Sequence, residues 1–229
     1  MILSEYKPIE EVLSLIGDKK RVFLIGCGDC ASACRVGGVE DIPLYAEKLQ
    51  DSGLKVIGWF VPERGCMLPR VKQELKPVLN EIDSSDVILS FSCGAGTQTL
   101  GKIFDTKIVL PAVNTSFLAT TLRAGEFVQQ CSLCGDCVLG ITGGFCPQTL
   151  CAKSLMNGPC SGSVDGKCET YRDKDCVWHQ IYHSLKERGE LQKFQATLPM
   201  KDFSRISNQN KKSVAPQNIK NRKSGGRNK

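Results

Sequence analysis

A chain of 229 residues, 41% hydrophobic and 24% charged, suffices for one ordinary soluble domain with a small satellite. No apolar run is long enough to span a bilayer, and Glu5, Glu10 and Glu11 stand where a secretory signal would be basic and then apolar, so the sequence reads as cytoplasmic. The net charge of +6 is local: residues 201–229 hold six lysines and three arginines against one aspartate, which leaves the rest at about −2.

Ile9, Val12, Leu13 and Ile16 recur at helical spacing and predict a helix over 8–16, with Pro8 suited to its first turn. A strand is expected at 22–25, then a helix at 42–50 ended by Asp51-Ser52-Gly53. A strand at 54–61 and a helix at 70–81 follow. A strand at 87–91, a short helix at 97–103 and a strand at 107–113 complete the series. Strands alternating with helices imply βαβ units. Residues 1–122 are therefore expected to form an α/β domain with an open, mostly parallel, Rossmann-like sheet.

Near Arg123 the character changes. Eight cysteines and many glycines lie between Cys131 and Cys176, with no helix or strand period. Such a segment buries too little apolar surface to fold alone, so residues 123–200 are expected to be a small cysteine-rich domain stapled by metal. It is closed by a helix through Val177, Ile181 and Leu185. Residues 201–229 are polar and basic, without an aromatic after Phe203, and read as a disordered, solubilising tail; a nucleic-acid partner is not expected.

Thirteen cysteines in a chain without an export signal point to metal or redox chemistry rather than to disulfides. Cys27-Gly28-Asp29-Cys30 follows the strand 22–25, inside a G-x-G-x-x-A pattern of Gly26, Gly28 and Ala31. That pattern resembles a dinucleotide fingerprint, but thiols occupy the phosphate-facing loop and the acid closing the second strand is missing. With Cys34 the loop carries three thiols. Cys66 and Cys93 lie in the loops after the next two strands, so five thiols are expected at the carboxyl edge of the sheet. A [4Fe–4S] cluster needs four of them; a four-cysteine zinc site competes, and a redox dithiol is weaker. One of Cys66 and Cys93 is expected to be only a small buried hydrophobe.

Cys131-x2-Cys134-x2-Cys137 has the spacing that opens a ferredoxin cluster motif, and Cys146-Pro147 is the dipeptide that closes one. Eight residues separate Cys137 from Cys146 where three are usual, so Cys146 need not serve the same cluster. Cys151, Cys160, Cys168 and Cys176 bring the set to eight, the number two cubanes require. Iron–sulfur ligation ranks above zinc here, because a zinc ribbon shows two separated C-x-x-C pairs. His179 and His183 share a helix face but lack the glutamate of a zinc protease motif, and are expected at a surface or interface.

The block Cys131–Tyr182 resembles the small cysteine-rich subunit of acetogen-type methylenetetrahydrofolate reductase. The resemblance rests on the Cys131/Cys134/Cys137 triplet, Thr142-Gly143-Gly144, Cys146-Pro147, Asn157-Gly158-Pro159-Cys160, Cys168-Glu169 and Cys176-Val177-Trp178. It implies an accessory subunit that relays electrons through two or three [4Fe–4S] clusters to the FMN of a (β/α)8-barrel partner, which makes methyltetrahydrofolate. It implies an electron donor protein upstream, and no side chain here acting as acid or base. Cys27, Cys30, Cys34 and Cys93 would hold one cluster, and the eight later cysteines one or two further metal centres. Zinc, associated with the family in places, leaves a second expectation open: a structural zinc subunit that scaffolds the complex.

Overall fold

The computed structural model describes residues 1–203. Four parallel strands form the central sheet: β2 (Arg21–Ile25), β3 (Lys55–Phe60), β4 (Val87–Ser90) and β5 (Ile108–Pro111), in the order β3-β2-β4-β5. β2 and β4 lie inside the sheet and read as unbroken apolar runs because both of their faces are covered. Side chains alternate between the faces. Val22, Leu24, Val87 and Leu89 pack on one side beneath α1 (Ile9–Ile16) and α3 (Asp41–Asp51), through Val12, Ile16, Ile42 and Leu49. Phe23, Ile25 and Ile88 pack on the other, beneath α4 (Leu68–Glu74), α5 (Leu79–Ser84) and α6 (Gly94–Ile103). Each fully buried Phe, Ile or Leu contributes about 1.5–3 kcal/mol, which makes this two-sided core the main source of stability.

Two expected elements differ. The helix over 70–81 is interrupted by a 3-10 turn at Lys76–Val78, because Pro77 has no N–H to continue the ladder. The strand over 107–113 changes sheets. β5 ends at Pro111, Ala112 donates to the Ser90 carbonyl and accepts from the Lys7 amide, and a new strand starts at Val113.

That strand, β6 (Val113–Arg123), pairs antiparallel with β1 (Ile2–Tyr6) on one side and with β7 (Glu126–Cys131) on the other. The sequence pattern announces neither β1 nor β7, and the expected boundary at 122/123 falls at the tip of the β6–β7 hairpin. β7 ends at Cys131, so the hairpin delivers the chain directly to the cysteine-rich segment. That segment has short α7 (Pro147–Leu150), the expected closing helix α8 (Val177–Glu187) and α9 (Gln192–Gln195). Its own small core joins Val177, Trp178, Ile181 and Leu185 to Phe145, Leu150, Leu191 and Phe194. Among the described residues no helix is long and apolar enough to cross a membrane. Of the expected basic tail, Lys201–Phe203 are described and residues 204–229 lie outside the described residues.

Candidate metal centres

Three loops at the carboxyl edge of the parallel sheet build the first thiol group. Cys27 follows β2 and is buried; Cys30 opens α2 (Cys30–Ala33); Cys66 lies in the loop after β3; Cys93 caps α6 after β4. The loops are cross-tied through their backbones. Cys27 N donates to Gly37 O at 2.8 Å and Gly28 N to Pro62 O at 2.9 Å. Gly65 N points at Cys27 Sγ, 3.4 Å away. Arg64 and Asp29 join two of the loops by an exposed ion pair at 3.5 Å. Burial pushes the Cys66 thiol up, and the neighbouring Cys93, Cys27 and Cys30 thiols push it further. The Cys66 sulfur therefore lies close enough to those three to sense their charge.

Cys34 is drawn toward β1, although it too senses the Cys30 thiol. Its Sγ lies 3.6 Å from the Ile2 carbonyl on β1, and burial is the first cause of its raised pKa. The structure thus places Cys66 near Cys93, Cys27 and Cys30, and Cys34 near Cys30 but against the edge of β1. The reason is topological: β1, which the sequence does not announce, packs against α2 and draws Cys34 to its edge.

The eight later cysteines divide into two fours. Cys131, Cys134, Cys137 and Cys146 line one cleft of about 330 Å³, together with Gly135, Asp136 and Lys201. Leu133, between the first two thiols, has φ 56°, a left-handed conformation that costs a non-glycine residue about 1–2 kcal/mol. That turn aims Leu133 N at Cys131 Sγ, 3.4 Å away. Burial raises the Cys134 thiol, but a hydrogen bond with Lys201 and then the Asp136 backbone bring it below its ordinary value.

Cys151, Cys160, Cys168 and Cys176 line a second, much tighter cavity of about 20 Å³, with Leu150, Trp178 and Glu169. Hydrogen bonds with the backbone at Tyr171 first, and at Thr170 and Ala152, hold the Cys168 thiol low against its burial. Cys176 is anchored by its amide on Gly166 O at 2.7 Å, after a turn with φ 50° at Asp165 and 77° at Gly166. Trp178 Nε1 donates to Leu155 O at 3.0 Å, which ties α8 to the loop before Cys160.

All thirteen cysteines are free thiols. Among the described residues no three Cys, His, Asp or Glu side chains are drawn together tightly enough to hold a metal ion as they stand. The donor chemistry nonetheless suits metal. Each candidate group offers soft sulfur donors, and backbone N–H groups are directed at a sulfur in all three. His179 and His183 share a neighbouring cleft with Cys176; His179 Nε2 meets Ser163 Oγ at 3.3 Å and His183 packs edge-on against Tyr182. Lys201 does not stand out in the sequence, since a lysine in a basic tail carries no local signal.

Residues 110–204 match the family model described as methylene-tetrahydrofolate reductase C terminal. This segment is therefore related to methylenetetrahydrofolate reductase. It runs from the end of β5 through both later cysteine groups to Lys201, and leaves the first thiol group outside. No curated protein and no solved structure matches the chain.

Proposed function

We propose that the chain is the electron-relay subunit of a methylenetetrahydrofolate reductase, working beside a flavin-bearing (β/α)8 partner and receiving electrons from a separate donor protein. One observation carries the reading: eight of the thirteen cysteines fall into two groups of four, each lining its own cavity, and both lie in the reductase-related segment. Four thiolates are the ligand set of a [4Fe–4S] cluster or of a four-cysteine zinc site.

The two later groups differ in the space they enclose. The cleft of about 330 Å³ at Cys131, Cys134, Cys137 and Cys146 has room for a four-iron cluster. The cavity of about 20 Å³ at Cys151, Cys160, Cys168 and Cys176 has room for little more than one water-sized body, which suits a single zinc ion. Cys27, Cys30, Cys66 and Cys93, in loops at a sheet edge where ligands commonly bind, are the candidate ligands of a further cluster. A bound cluster would supply one-electron transfer. The protein's part is to present the thiolates, to direct amides at sulfur and to limit water. No side chain here is assigned acid or base chemistry on folate. A reducing, cytoplasmic setting agrees with thirteen unpaired thiols.

The second reading, a zinc scaffold without electron transfer, draws on the same tight cavity. Anaerobic purification followed by iron, sulfide and zinc analysis and a reductive titration separates the two. The relay requires a coloured protein whose iron and sulfide match and which takes up electrons. Zinc alone, without sulfide, would sink it. Cys66→Ser is expected to remove one centre's worth of metal, and Cys34→Ser none.

A further inference from the structure

The chain does not end its contacts at α9. Residues 196–201 run back across the cysteine-rich segment as a strap held at two points. Asn157 grips it first: Leu198 N donates to Asn157 Oδ1 at 2.7 Å, and Asn157 Nδ2 donates to Leu198 O at 3.1 Å. Three residues on, Lys201 Nζ donates to Asp136 O at 2.6 Å, inside the Cys134–Cys137 loop. Lys201 is partly buried there and lines the same cleft as Cys131, Cys134, Cys137 and Cys146. Asn157 stands in the turn that leads to Cys160, so the strap reaches from beside one four-thiol group to the wall of the other.

We infer that Lys201 is a positioning residue of the Cys131/Cys134/Cys137/Cys146 centre, clamping its central loop and setting its charge, with the Asn157–Leu198 pair as the hinge pin that holds it there. The inference rests on the reading that these four cysteines hold metal. The physical grounds are two. Four thiolates around a doubly charged metal core leave a net negative site, and a fixed ammonium beside it offsets that charge. Asp136 lies between two of the four sulfurs, so a clamp on its carbonyl restrains both at once. The sign follows: an electron added to the site is better tolerated next to Lys201, so loss of the lysine lowers the reduction potential.

The test uses the full chain, loaded and purified anaerobically, as wild type and as Lys201→Gln, Lys201→Arg and Asn157→Ala. Metal release from this centre to a competing chelator and the midpoint potential of the centre are measured, with far-ultraviolet dichroism as the check on folding. Lys201→Gln is expected to release metal about tenfold faster, in the range seen when groups behind metal ligands are removed. It is also expected to be reduced at a lower potential. Lys201→Arg, which keeps the charge and the donor, is expected to stay near wild type. Asn157→Ala, remote from the cleft, is expected to move in the same direction by less. A folded Lys201→Gln protein with unchanged release and unchanged potential would overturn the inference. A metal content left unaffected by Cys134→Ser would instead overturn the reading that these cysteines bind metal.

Discussion

Asp86 lies just before β4 and fastens it to the start of β2. Its Oδ1 accepts from Arg21 Nε at 3.0 Å and Nη2 at 2.6 Å; its Oδ2 accepts from the Arg21 and Lys20 amides at 2.9 and 3.2 Å. The Arg21 side chain above all, and then the backbone donors, hold its carboxyl well below the ordinary carboxylate range. A depressed carboxylate stabilises the fold fully above its unfolded value of about 3.9, and that contribution is lost as pH falls toward the lowered value. Asp86→Asn is therefore expected to lower the urea midpoint at pH 7, with the gap to wild type closing as the solution is acidified below about pH 4. Exposure keeps the effect modest and sensitive to salt. Equal midpoints at pH 7 would show that the pair holds nothing. A different residue-scale feature is Tyr45, whose buried hydroxyl has no partner among the described residues. Its ring stacks on Tyr6 at 5.1 Å between centroids, and burial pushes both phenols up to about 12.

At the scale of elements, the first thiol group depends on how closely three loops approach. A methyl group on Gly37 would lie 2.3 Å from the Phe91 carbonyl oxygen and 2.8 Å from Ala31 Cβ, and the Gly37 carbonyl already receives the Cys27 amide. Gly37→Ala is expected to destabilise the fold by about 1–3 kcal/mol in chemical denaturation and to reduce metal bound at Cys27. A variant as stable as wild type would mean the loop yields freely. Gly37 is invisible in the sequence because its role is set by Phe91, a residue remote along the chain. The same holds for the antiparallel sheet. The run VNTSFLATTLR has polar residues on both faces and most of it is exposed, so its hydrophobic alternation is too weak to announce a strand. By contrast β2, β4 and α8 are legible, because a buried strand or an amphipathic helix writes its burial into local apolar spacing. The cysteine spacings mark the candidate ligands but not how they are partitioned. Packing against β1, a contact between distant segments, draws Cys34 toward the Ile2 carbonyl, while Cys66 lies near Cys93, Cys27 and Cys30.

Across the whole molecule, stability is unevenly supplied. The parallel sheet is covered on both faces by large buried side chains, whereas residues 131–203 rely on one small cluster around Trp178 and Leu185. A segment with so little core needs staples to stay folded. Metal removal by a chelator under reducing conditions is thus expected to open residues 131–203 to protease first, with residues 2–111 still protected, as read by mass analysis of the fragments. Simultaneous loss of both regions would show that one cooperative unit spans them. The family match adds a boundary of its own at residue 110, where the chain leaves the parallel sheet.

The antiparallel sheet is also a ruler. Ile2 stands opposite Leu118, and Leu118 opposite Cys131, in one row across three hydrogen-bonded strands. Strand spacing fixes that row at about 10 Å from end to end. Its near end, the Ile2 carbonyl, touches Cys34, four residues from Cys30; its far end is Cys131, the first thiol of the next four-cysteine cleft. A sheet can twist, but it does not stretch without breaking its ladder. The separation between the two thiol neighbourhoods is therefore gauged by backbone, independent of any side chain, and a register slip of one residue would turn Cys131 to the opposite face.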